Sequence, residues 1–94
     1  MQKADPDKVV KDIGRRLAEL RADRGWTQEQ FAVRLGVTAG YVGRLERGTQ
    51  SFTVHRLVWL ANNLGVRAAD LFAAPRSRVV RPGRPKRAAR KAAS

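Results

Sequence analysis

The nine residues AGYVGRLER, Ala39 to Arg47, carry two arginines three positions apart on a stretch whose apolar members are Val42 and Leu45. A guanidinium is a planar fork of donors that fits a phosphate, or pairs bidentately with guanine O6 and N7 and so discriminates bases by about 1–3 kcal/mol. Projected at about 100° per residue around a helix axis, Val42 and Leu45 share one side. Gly40, Gly43, Arg44 and Arg47 point away from it, with Ala39 at the edge. Arg44 is the only long donor in the middle of that outward side, which makes it the candidate base reader, with Ala39, Gly40 and Gly43 as base-facing neighbours.

Candidate phosphate contacts surround that side. Gln28 opens a helix, where unpaired N–H groups and the positive dipole end favour an anion, and its amide donates as well. Thr38, Tyr41 and Arg47 flank the outward surface and carry donors suited to phosphate oxygens. Capping or packing is the competing account for Thr38 and Tyr41. For Gly40 and Gly43, close approach of the helix backbone to a duplex competes with plain lack of constraint, since glycine inside a helix costs about 1 kcal/mol relative to alanine.

These residues need short helices to hold them, and the sequence punctuates itself accordingly. Residues 9–24 repeat apolar side chains at three and four (Val9, Val10, Ile13, Leu17, Leu20) and stop at Gly25. Thr27 with Gln30 forms a capping box, Trp26 and Phe31 occupy hydrophobic staple positions, and the helix ends at Gly36. Thr38 caps the next helix, with Val37 and Val42 as its staple and Gly48 beyond its last turn. Thr53 caps a fourth, striped by Val54, Leu57, Leu60, Ala61 and Leu64 and closed by Gly65, and residues 68–72 form a short fifth. Three residues, Gly36, Val37 and Thr38, join the second and third helices, which is the spacing of a helix-turn-helix. In that motif the second helix enters the DNA major groove while the first crosses the backbone.

Composition agrees with a nucleic-acid partner. The 94 residues hold 20 Lys and Arg against 8 Asp and Glu, a net charge of +12. Twelve basic and eight acidic side chains lie in residues 1–75, and the remaining eight basic ones, with no acid, lie in 76–94. Such an excess favours polyanions, with double-stranded DNA first. With no cysteine and one histidine, His55, there is neither a disulfide nor a thiolate or imidazole cluster for a metal, and no cofactor is expected. The same poverty of groups, with no convergent carboxylate pair, argues against an enzyme. No segment approaches the roughly 20 apolar residues of a membrane span, so the expectation is a cytoplasmic protein with no membrane partner.

The segments TQEQFAVRLGV, YVGRLERG and TVHRLVWLANNLGV, in this order and spacing, resemble the lambda-repressor-like, or Xre-like, helix-turn-helix proteins over residues 13–72. The resemblance implies an all-α, compact five-helix DNA-binding domain and transcriptional regulation as its role. It implies base-facing positions at Ala39, Gly40 and Arg44 and a backbone contact from Gln28. Most relatives carry larger polar residues where this chain has Ala39 and Gly40. It further implies that Glu46, odd on a DNA-facing helix, pairs with Arg21 and locks that helix in place. The domain is expected over residues 1–75, with a folded core at about 9–73.

Trp59 falls opposite the Leu57 stripe and is expected to be exposed, where it and Val58 form a two-fold dimer contact; the alternative is an indole lying over a neighbouring arginine or the tail. Residues 76–94 have no apolar period and one charge sign, and are expected to be disordered when unbound. Within them RPGRPKR resembles an AT-hook, with Arg81, Gly83, Arg84, Pro85, Lys86 and Arg87 in the minor groove, although Pro82 stands where that pattern has arginine. A solvated basic arm acting by counterion release is the competing account.

The function these readings converge on is a sequence-specific regulator, a repressor that binds a palindromic operator as a homodimer. A restriction-modification controller, an antitoxin with a toxin partner, and a weakly specific architectural DNA binder are the alternatives.

Overall fold

A computed structural model describes residues 3–77. Four α-helices follow one another: α1 (Pro6–Asp23), α2 (Gln28–Leu35), α3 (Ala39–Arg47) and α4 (Val54–Leu64), with a 3-10 helix over Ala68–Phe72. No strand occurs among the described residues. The all-α expectation is borne out, with the fifth element tighter than an α-helix.

Thr27, Thr38 and Thr53 cap α2, α3 and α4, their hydroxyls accepting from the backbone N–H groups of Gln30, Tyr41 and Arg56 at 3.0, 3.1 and 3.0 Å. The Gln30 side chain returns the bond to the Thr27 N–H at 2.9 Å, completing the capping box. Gly36 turns the chain from α2 into α3 at φ 72°, a left-handed conformation that other residues rarely adopt, and lets Val37 N–H reach the Ala32 carbonyl at 3.0 Å.

α1 starts three residues before the expected position. Asp5 caps it, accepting from Asp7 N–H at 3.0 Å, and Pro6 fills the first turn. The apolar period begins later than the helix, because Val9 is exposed and the buried stripe runs Ile13, Leu17, Leu20. Val54 is likewise not part of the buried stripe of α4: it is 74% exposed as the first residue of that helix, one turn outside the packed Leu57, Leu60, Ala61 and Leu64.

The core closes around Phe31, Leu17, Leu45, Leu60, Leu64, Leu71 and Val42, all buried. Trp26 stacks on Phe31 with centroids 5.8 Å apart while its outer surface lies under Arg34, so of the two only Phe31 is fully core. Two of the seven, Val42 and Leu45, belong to α3, and burying them, at about 1.5–3 kcal/mol each, helps set that helix against the rest of the domain.

The described chain stays against α1 past Pro75. Pro75 is buried, Arg76 N–H donates to Glu19 at 2.6 Å, and the Arg76 guanidinium pairs with Asp23 at 2.8 Å. Residues 76 and 77, expected in the free tail, thus lie along α1. Arg81, Gly83, Arg84, Pro85, Lys86 and Arg87 lie outside the described residues.

Candidate nucleic-acid interface

α3 is held from three directions. Below it, α1 passes so close that a Cβ added to Gly14 would stand 2.6 Å from the carbonyl oxygens of both Leu45 and Glu46. Beyond its last turn, Gly48 adopts φ 71° with Lys11 Cα only 2.7 Å from where its own Cβ would be, so both geometry and space demand glycine there. Beside it, Glu46 accepts from Arg21 through Nε at 2.6 Å and NH2 at 3.1 Å, while Arg21 NH1 donates to the Trp26 carbonyl at 2.7 Å. The two side chains are 16% and 7% exposed. A bidentate, charge-assisted pair of this kind fixes direction as well as distance.

That pair has a third member. Gln28 Nε2 donates to Glu46 Oε1 at 2.9 Å, tying the start of α2 to the end of α3. One amide hydrogen is used in this bond and an amide carries two, so the geometry leaves Gln28 a donor for an anion. Thr38 Oγ1 and Tyr41 Oη are both engaged as acceptors, Tyr41 from the Arg56 guanidinium, and each hydroxyl keeps its own hydrogen to donate.

Arg44 and Arg47 are exposed on the outer side of α3, and Gly40 is exposed with them. Ala39 is half-buried at the edge of the core. Gly43 does not face outward as the projection predicts. It is buried, with Arg47 NH1 3.1 Å and Gln28 Nε2 3.9 Å from where its Cβ would be. Angular projection takes no account of the side chains that lie over it, Arg47 from the next turn of α3 and Gln28 from the start of α2.

Trp59 also departs from expectation. It is half-buried and packs against the core, with the Arg56 guanidinium 5.2 Å from its ring centroid, so the indole lies beside a neighbouring arginine. Val58 beside it is 42% exposed. Two further residues matter here and carry sequence signals of their own. Gly14 is an isolated glycine inside a helical pattern, a mark of close packing, and Arg56 sits three positions before Trp59 on one helix face.

Among the described residues no helix is long and apolar enough to cross a membrane. A capped short helix, a glycine turn and a second capped helix that offers arginines to solvent is an arrangement found in other proteins. The restriction-modification controller protein C.AhdI from Aeromonas hydrophila superposes with a TM-score of 0.67 at 33% identity, over 73% of this chain and 100% of that one. The clp gene regulator ClgR from Corynebacterium glutamicum superposes with a TM-score of 0.63 at 32% identity, over 67% of this chain and 82% of that one. An uncharacterized HTH-type transcriptional regulator, y4dJ, of Sinorhizobium fredii is 41% identical over 59 residues, 63% of this chain and 77% of its own. The family model described as a helix-turn-helix domain matches residues 12–74, from the α1 turn beside Gly14 to two residues past the 3-10 helix, and the chain belongs to that family.

Proposed function

We propose that the protein is a sequence-specific transcriptional regulator that lays α3 in the major groove of double-stranded DNA. Arg44 reads a base edge, and Gln28, Thr38, Tyr41 and Arg47 hold phosphates on either side. The observation that carries this reading is the division of α3 into a locked inner side and a cationic outer side. Its single acid, Glu46, is turned inward and neutralised by Arg21, so no carboxylate of this helix faces the polyanion.

Regulation follows as repression, by occupying promoter DNA. Two copies related by a two-fold axis would meet half-sites about 34 Å apart, so the operator is a palindrome. Val54 and Val58, four residues apart and 74% and 42% exposed on α4, supply apolar surface for that pairing, with Trp59 at its edge beneath Arg56. The basic residues after Ser77 add sequence-independent affinity, and deleting 78–94 lowers the salt slope of binding by about 0.9 for each phosphate that the shortened chain leaves unneutralised.

Selection of bound sites from random duplexes tests the reading. Affinity for the selected site should exceed that for random duplex by at least about 10³ at one salt concentration. A ratio near one contradicts it and favours an architectural binder. A controller role within a restriction-modification system is the second reading, supported by the likeness to C.AhdI over that protein's whole length.

A further inference from the structure

Arg44 and Arg47 each stand four residues after a glycine, Gly40 and Gly43. Long side chains on a helix lean toward its N-terminus, so a residue at one position lies over the residue four before it. The distances show this overlap twice. A Cβ on Gly40 would stand 3.7 Å from Arg44 NH1, and a Cβ on Gly43 would stand 3.1 Å from Arg47 NH1. Both guanidinium groups therefore occupy the room that an ordinary side chain one turn earlier would fill.

Arg44 also has a wall. Its Cζ lies 5.7 Å from the centroid of the Tyr41 ring. Tyr41 does not swing freely, because its hydroxyl accepts from the Arg56 guanidinium, which lies 5.3 Å from the Tyr41 ring and 5.2 Å from the Trp59 ring. A row of alternating arginines and aromatics thus runs from α4 to the outer side of α3 and ends on Arg44.

From this geometry we infer that Gly40 and Tyr41 are specificity-determining positioning residues: together they seat the Arg44 guanidinium over the first turn of α3, where it meets a guanine edge that residue 40 would otherwise face. The inference rests on the reading of Arg44 as the base reader. Gly40 supplies the floor by having no side chain, and Tyr41 supplies the wall. An arginine laid down before binding has its planar donor fork oriented already, so less rotamer freedom is lost when the guanine is met. A side chain longer than a methyl group at position 40 competes for the same room and lifts Arg44 away. The base preferred at this point of the operator is then set by two residues that need not touch it.

The test measures, for the full chain on duplexes that vary one base pair of the selected site, the affinity ratio of guanine over the other bases. An arginine-to-guanine pair gives a ratio of about 5- to 150-fold in the unaltered protein. Gly40→Ala should keep the ratio within about 2-fold, since its methyl would stand at ordinary contact distance from Arg44. Gly40→Met and Tyr41→Leu should each lower it at least about 5-fold, toward the value for Arg44→Ala; the phosphate contact that Tyr41→Leu also loses weakens binding to every duplex alike and leaves the ratio untouched. The seat is overturned if both variants keep the ratio, or if Gly40→Met loses binding to every duplex while Tyr41→Leu keeps the ratio. If Arg44→Ala itself keeps the ratio, the base-reading role of Arg44 fails instead, whatever the seat variants do.

Discussion

The inner and outer sides of α3 are built from the same nine residues under opposite rules. On the inner side every position is over-determined: Val42 and Leu45 are buried, Glu46 is bonded to both Arg21 and Gln28, and the backbone lies against Gly14. On the outer side Gly40, Arg44 and Arg47 meet solvent, and the Arg44 guanidinium is set by packing on Gly40 and Tyr41 and not by a carboxylate. The difference teaches that one helix can be locked on one side while its other side, proposed above for recognition, stays open. The fold uses its specific contacts to hold the rod, which leaves the exposed donors available to a ligand.

Breaking the inner side should cost most. Glu46→Ala leaves Arg21 without its carboxylate partner and releases Gln28, and stability should fall by about 3 kcal/mol, the low end for removing one member of a largely buried pair. Chemical denaturation measures it, and a loss below about 1 kcal/mol would mean the pair is behaving like a surface ion pair. The double change Arg21→Met with Glu46→Leu should recover most of that loss, because it leaves no charge unpaired.

Glycine substitutions sharpen the comparison, since the same change should have opposite signs on the two sides. Gly14→Ala places a methyl group against two carbonyl oxygens and forces α1 from α3, an overpacking cost of about 1–3 kcal/mol that outweighs the gain in helix propensity. Gly40→Ala meets nothing closer than 3.7 Å and should stabilise the protein, by up to about 1 kcal/mol. Melting temperatures of the two variants straddling that of the parent would verify the contrast; a shift of the same sign in both would break it.

The smallest effect lies away from α3. Asp70 is held below its ordinary value near 3.8, first by the bond from the Arg67 backbone N–H and then by the Arg67 side chain. A carboxylate with a lowered folded value contributes stability that is present above its unfolded value and is lost as the pH falls through the folded one. Asp70→Asn should therefore narrow the gap in stability between pH 7 and pH 3 slightly and leave DNA binding at pH 7 unchanged. Acid titration followed by circular dichroism checks it.

How far the sequence can be read follows the same division. The caps of α2, α3 and α4 are local events within four residues, so Thr27, Thr38 and Thr53 mark their helices without reference to anything distant. The Arg21–Glu46 bridge spans 25 positions and is reached through the family resemblance, not through spacing. Gly43 and Trp59 depart from their projected places because side chains cover them, Arg47 and Gln28 over Gly43 and the core with Arg56 around Trp59, and their reach depends on how helices and successive turns pack. The start of α1 escapes the apolar period because its cap, Asp5 with Pro6, precedes that period instead of opening it. Amphipathic period reports what is buried, and a helix is free to extend beyond what it buries.

The central claim is that α3 presents Arg44 to base edges, and binding of Arg44→Ala to two duplexes at one salt concentration tests it most directly. Affinity for the selected site should fall by about 5- to 150-fold, the worth of one bidentate base contact, while affinity for random duplex falls far less. An equal fall on both duplexes would make Arg44 a phosphate contact, and no fall on either would remove α3 from the groove as described.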